Sequence, residues 1–258
     1  GREWMYEYLK PSYLNGLKPV KLLLGGEGDI QKSLVETVDR TRKLYIGGKQ
    51  ARPDGGYDRP IFGPKGQLVG QVGEGNRKDL RNAVEAAAGA GGWSNASAHN
   101  RAQVLYYIAE NLSLRADEFA DTLKNMTGAK NAAAEVDASI DRLFHWAAWA
   151  DKYDGAVHAV PIRGVAMAMN EPMGVIGIAA PDEAPLLGFV SLVAAGIALG
   201  NRIVALPSAA HPLAALDLYQ ILETSDLPGG VVNIVTGDRN SLSKTLAEHA
   251  NVDAMWYF

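Results

Sequence analysis

The sequence predicts an α/β protein: a doubly wound parallel sheet preceded by a helical segment and a β-hairpin. Three observations carry that prediction. From Gly174 onward, short apolar runs alternate strictly with helix-length segments. The apolar runs are continuous rather than alternating, as expected of strands covered on both faces. The 12 Pro and 28 Gly are spread along the chain, which suits many short connections. A repeated strand-helix-strand order implies right-handed crossovers and hence a parallel sheet.

Taken in order, residues 15–43 read as a turn-rich connector followed by one polar helix, DIQKSLVETVDRTRK. Within the connector, Leu22–Gly28 looks like a strand entering a phosphate loop, but Gln31 stands where a third glycine is required, so it reads as linker. LYIGGKQ and GQLVGQV suggest two or three antiparallel strands around the turns DGGYDRP and GPKG. Asn76 can cap a helix running through Ala90, with Gly91-Gly92 ending it. Val104, Ile108 and Leu112, then Phe119, Leu123 and Met126, recur at helical spacing, and Gly128 stops the second helix. Val136, Ile140, Phe144 and Ala147 make a third stripe ending near Gly155, with His145 as a partly buried core histidine. AVHAVP and VAMAMN, joined by Ile162-Arg163-Gly164, form the hairpin. The alternation then runs GVIGIAA, helix, RIVALP, helix, VVNIVTG, helix, VDAMWYF. Parallel sheets bind ligands at the carboxyl ends of their strands, which selects loops 180–185, 206–210 and 237–240.

Composition narrows the function classes. With 258 residues the chain holds one large domain or two small ones. Lys+Arg 25 against Asp+Glu 29 leaves a net charge of −4, without the basic excess of a nucleic-acid binder. Ala184–Gly200 is uncharged but shorter than a bilayer requires, and it reads as a buried helix, so no membrane partner is expected. GREWMYEYLKPS carries charges and no apolar core, so a cytoplasmic location is expected. The five histidines show no metal-ligand spacing, and G-x-S-x-G is absent. There is no cysteine, so this chain can supply neither a thiolate ligand nor a cysteine nucleophile.

One long segment, NEPMGVIGIAAPDEAPLLGFVSLVAAGIALGNRIVALPSAAHPLAAL, resembles the cofactor-binding core of the aldehyde dehydrogenase superfamily. Upstream, RAQVLYYIAENLSLRADEFADTLKNMTGAK is similar to the family's helices. Downstream, LPGGVVNIVTGDRNSLSKTLAEHANVDAMWYF is similar to its glycine loop and following strand. The resemblance runs from about Leu44 to Phe258 and implies a Rossmann-like domain, NAD(P) as cofactor, and a hairpin (His158–Asn170) serving as an oligomerisation arm. It places Pro181, Leu206, Pro207, Ser208 and Gly237 at cofactor-binding positions.

Several of these positions depart from the family pattern. The oxyanion asparagine falls on Glu183, and an ionised carboxylate cannot donate a hydrogen bond to a developing oxyanion. The ribose-binding lysine falls on Leu206 and the neighbouring glutamate on Ala209; Arg239 and Ser243 replace glycines. Gly237 and Pro207-Ser208 keep the pattern. GREWMYEYL resembles the end of another such domain, so residues 1–14 are expected to close a preceding module, 15–43 to link, and 44–258 to form a partial second module. That arrangement is similar to the shortened, cysteine-less C-terminal module of two-module, family-sixteen aldehyde dehydrogenases. The expectation is a non-catalytic module serving assembly for a catalytic module of the same polypeptide, homodimeric, with weak or absent NAD(P) binding. Two alternatives stand beside it: a fragment of an active NAD-dependent aldehyde dehydrogenase, and a nucleotide-binding sensor exploiting helix N-termini.

Overall fold

The sheet is built from the inside out. The computed structural model describes residues 39–152 and 155–258. The readings for residues 1–38, including the preceding-module end and most of the polar helix, lie outside them. In chain order the described strands are β1 (Leu44–Ile46), β2 (Lys49–Ala51), β3 (Asp58–Phe62), β4 (Leu68–Gly73), β5 (Ala156–His158), β6 (Ala166–Ala168), β7 (Val175–Ala179), β8 (Arg202–Leu206), β9 (Val232–Ile234) and β10 (Ala254–Tyr257). The α-helices are α1 (Arg77–Gly89), α2 (Ala98–Leu114), α3 (Ala116–Thr127), α4 (Ala132–Lys152), α5 (Pro185–Ala198), α6 (Leu213–Glu223) and α7 (Arg239–Ala247).

The main sheet runs β10-β7-β8-β9-β1-β2. Strands β7, β8, β9 and β10 are mutually parallel, as the continuous apolar runs predict, and β1 and β2 are antiparallel. Both faces are covered, and the pleat divides them cleanly. On β8, Ile203 and Ala205 enter the larger core with α2–α6, while Val204 and Leu206 enter the smaller one with α1 and α7. Two helix ends are closed as the sequence suggests. Asn76 accepts from the amides of Lys78 and Asp79, and the Asp79 carboxylate accepts from the Asn76 amide, a reciprocal cap on α1. Gly128 ends α3 at φ 74°, in the left-handed region.

Two local readings are corrected, at residues 39–43 and on α4. Residues 39–43 are not helical: Arg42 bridges to Val72, and its guanidinium is held by both carboxylate oxygens of Asp217, at 2.7 and 3.0 Å. Gly91-Gly92 ends α1 as read, with Ala90 as the C-cap, and the chain passes into a 3₁₀ turn, Gly91–Asn95, in which Trp93 is buried and donates its Nε1–H to the Ile197 carbonyl at 2.9 Å. On α4 the buried face is Val136, Ser139, Leu143, Ala147 and Ala150, whereas Phe144 and His145 face solvent. Successive i+4 steps drift about 40° around a helix, so a stripe read as 136-140-144 leaves the core by its third member. The antiparallel pair β1–β2 belongs to the main sheet, where β1 pairs with β9 and Tyr45 stands opposite Ile234.

That junction rests on Asn233, which is fully buried in β9. Its Oδ1 accepts from the Gly47 amide at 2.8 Å, and its Nδ2 donates to the carbonyls of Gly230 (2.8 Å) and Ile203 (3.2 Å). The β1–β2 turn approaches so closely that a Cβ on Gly48 would lie 2.6 Å from the Gly229 Cα, and Gly48 has φ +80°. Asn233→Ala removes three hydrogen bonds from side chain to backbone at this junction and empties a buried site, and a loss of about 3 kcal/mol is expected. Urea unfolding monitored by tryptophan fluorescence checks it; an Asn240→Ala control on the exposed end of α7 is expected to change stability by less than about 0.5 kcal/mol.

Candidate functional site

A doubly wound sheet opens a crevice where its winding reverses. Here β7, β8 and β9 progress in one direction, and β10 returns to the far side of β7. The reversal therefore lies between β7 and β10, and the segments at the strand ends are Ala180–Ala184, Pro207–His211 and Gly237–Arg239. These are the three loops that the sequence selects.

The first loop is tightly determined. Ala184 has φ 44° and ψ 65°, a left-handed conformation that costs a non-glycine residue about 1 kcal/mol. It gives α5 no side-chain cap of its own. Glu135, reaching over from α4, supplies one: its Oε1 accepts from the amides of Leu186 (2.9 Å) and Leu187 (3.2 Å). Pro181 packs against the first turn of α5, where a Cβ on Gly188 would lie 2.7 Å from the Pro181 ring. Asp182 accepts a 2.7 Å hydrogen bond from the Ser208 hydroxyl, whose oxygen accepts in turn from the His211 amide at 2.9 Å. Glu183 is exposed at the crest of the loop.

The other loops complete the rim. Asp238 caps α7 by accepting from the Ser241 amide at 2.7 Å. Arg239, the first residue of α7, donates through Nη1 to the Ala180 carbonyl at 2.7 Å and through Nη2 to the Phe258 carbonyl. Its guanidinium carbon lies 5.1 Å from the Tyr257 ring centre, and Nη1 lies 3.9 Å from Asp182 Oδ1. Beside it a cleft of about 390 Å³ is lined by Arg59, Glu74, Ala209, Gly237, Asp238 and Arg239. Arg59 is committed to the Ala209 carbonyl at 2.6 Å.

Pro181, Ser208 and Gly237 thus come to one rim with Asp182, Glu183 and Arg239. Leu206 does not present its side chain there. It is 3% exposed and packs in the smaller core with Leu80, Val235 and Leu242. Pro207 is likewise buried. Gly237 has a packing reason for being glycine: a Cβ would lie 2.6 Å from the Gly75 carbonyl oxygen. Sequence reasoning missed Glu135 and Asp182. No local signal marks Glu135, which acts 51 residues from the helix it caps.

The Asp182 carboxyl is held below the ordinary carboxylate range, first by the Ser208 hydroxyl and then by the Arg239 guanidinium, with partial burial opposing. A depressed folded-state pKa stabilises the fold above the unfolded value, about 3.9, and that contribution disappears as pH falls through the folded value. The stability gap between the wild-type chain and Asp182→Asn is therefore expected to be full near about pH 6 and to close as pH drops below about 4. Urea midpoints measured across that range check it; a gap that does not narrow as the pH falls below about 4 contradicts the assignment.

With the rim described, comparison with known proteins is direct. Residues 59–257 match the model of the aldehyde dehydrogenase family. Human cytosolic 10-formyltetrahydrofolate dehydrogenase is 30% identical over 227 residues, which cover 84% of this chain and 25% of that protein. Among solved structures, an NAD-dependent aldehyde dehydrogenase from Sinorhizobium meliloti superposes with a TM-score of 0.80 at 26% identity, covering 84% of this chain and 45% of that one. Betaine aldehyde dehydrogenase from Staphylococcus aureus, solved with NAD+, gives 0.80 at 25% identity, again covering 84% and 45%. The chain spans about a quarter of the first relative and less than half of the other two. The alternation of parallel strands and helices, the glycine-bearing loop at Gly237 and the match over residues 59–257 together place this chain in the aldehyde dehydrogenase family.

Proposed function

We propose that this chain is a non-catalytic aldehyde-dehydrogenase-like module that serves assembly for a catalytic module of the same polypeptide. One observation carries the reading: the chain contains no cysteine, and the position expected to steady a developing oxyanion holds Glu183, a carboxylate exposed on its loop. Aldehyde oxidation through a thiohemiacetal needs a thiolate nucleophile and a donor at the oxyanion. Neither side chain is available here. The human relative is described as cytosolic, which supports a cytoplasmic location, and among the described residues no helix is long and apolar enough to cross a membrane. The pure chain is expected to reduce no NAD(P)+ above the buffer rate with any of a panel of aldehydes; measurable turnover overturns the reading.

The residues at the family's cofactor positions do not fit a dinucleotide. A ribose needs hydrogen-bonding side chains at the end of β8, and Leu206 and Ala209 offer none. The Ser208 hydroxyl is already engaged with Asp182 and the His211 amide. Lost ribose contacts cost about 0.5–1.5 kcal/mol each, more where charged. NAD(P) is accordingly expected to bind weakly or not at all, with any residual site at Pro181, Pro207, Ser208 and Gly237. Titration calorimetry yielding a Kd below about 10 μM, roughly −7 kcal/mol, contradicts this.

A second reading, a fragment of an active aldehyde dehydrogenase, is favoured by the chain's spanning 45% of two solved relatives. The parental reading frame decides between them: a cysteine-bearing dehydrogenase module upstream supports the first reading, and a cysteine-bearing catalytic half downstream supports the second.

The hairpin β5–β6 supports an assembly role. Each strand has three residues, and Val157, Val165 and Met167 are 72, 73 and 67% exposed. A two-stranded ribbon of this kind is marginal in water unless its edges and faces are covered. We assign that cover to a second module, giving a homodimer. Light scattering on the chain and on a Val165→Lys, Met167→Lys double variant is expected to show a dimer and a monomer respectively; identical monomers in both refute the assembly role.

A further inference from the structure

We propose that Arg239 is a built-in occupant of the switch-point crevice, a protein cation seated where the winding of the sheet would otherwise admit a ligand. The proposal deepens the non-catalytic reading above by naming what closes its site.

Three features of the rim point the same way. Two helices start at the crevice, α5 after β7 and α7 after β9, and a helix N-terminus is where an α/β sheet receives a phosphate. Both starts already carry a carboxylate from this chain: Glu135 accepts from the first amides of α5, and Asp238 accepts from the Ser241 amide of α7. Beside Asp182 in the first of these loops lies the Arg239 guanidinium. Its Nη1 donates to the carbonyl of Ala180, the residue after β7, and it lies against the ring of Tyr257 on β10, so it touches both strands that flank the reversal. The Tyr257 ring covers one side of it, and only 15% of the side chain is exposed.

This geometry is that of a plug and not of an anion receptor. A receptor turns its N–H donors toward the open cleft. Arg239 turns Nη1 to the Ala180 carbonyl at the end of β7 and lies beside Asp182, so an incoming phosphate meets a cation already engaged by a strand end and next to a carboxylate. Removing the side chain frees the gap between the β7 and β10 termini and uncovers the start of α7.

The sign of one substitution decides the matter. In the full chain, Arg239→Gly is expected to bind NAD+ at least tenfold more tightly than wild type by titration calorimetry. It is also expected to speed amide exchange at Met255–Phe258 at least tenfold. Arg239→Lys, which keeps a charge but has no planar guanidinium to bond Ala180 while lying on the Tyr257 ring, is expected to fall between the two. Affinity for NAD+ that falls in Arg239→Gly shows a receptor and overturns the proposal. Faster exchange with no gain in binding shows a structural clasp only and overturns it too. Far-ultraviolet circular dichroism and the tryptophan spectrum verify that the variant is folded before either comparison is made. The two readings fail separately: a wild-type Kd below about 10 μM sinks the non-binding reading, and Arg239→Gly still tests the plug against that baseline.

Discussion

Asn233 stands at the centre of the main sheet with no solvent contact, and its amide ties three otherwise separate pieces of backbone together: the β1–β2 turn through Gly47, the loop before β9 through Gly230, and β8 through Ile203. A buried amide is costly unless its hydrogen bonds are made, so each partner becomes obligatory once Asn233 is inside. The consequence reaches beyond the turn. Holding β1 against β9 leads the chain up to Gly75, whose amide donates to the Thr236 carbonyl at 2.7 Å, while Thr236 donates its hydroxyl to the Gly73 carbonyl at 2.6 Å. From that point α1 descends across the second face of the sheet, where Leu80, Ala83 and Val84 cover Val204 and Leu206. An antiparallel hairpin thereby sets the helix that completes a parallel core.

Much of this was legible because the governing signals are local. Continuous apolar strands, the Asn76 cap and the Gly128 stop act within a few residues, and the sequence carries them openly. What was illegible depends on distant partners. Asp39–Lys43 has a polar helical pattern, but Arg42 finds Asp217 and an extended path instead. Gly91-Gly92 ends α1 as its sequence suggests, but the 3₁₀ turn that follows answers to Trp93, which is claimed by the core and by the Ile197 carbonyl. Phe144 fits an i+4 stripe, but Leu143 is the residue that faces inward. At the rim, the loops were legible and the partners were not. Asp182 and Glu135 acquire their roles only when β8 and α4 are brought alongside.

The rim also separates two reasons for which a family pattern persists. Gly237 keeps its identity, yet the atom forbidding a side chain there is the carbonyl oxygen of Gly75. Ser208 keeps its hydroxyl, and that hydroxyl joins Asp182 to the His211 amide. Pro181 and Pro207 serve packing, one against Gly188 and the other inside the core. Glu183, Leu206, Ala209 and Arg239 depart from the pattern that the resemblance implies, and the residues that keep it each have a packing or hydrogen-bonding reason within this fold. A retained glycine loop is therefore weak ground for inferring a cofactor, because packing alone explains it. The Arg239 guanidinium, bonded to the Ala180 carbonyl and lying against the Tyr257 ring, shows instead a side chain of this protein at the end of β7, where it satisfies a buried backbone group.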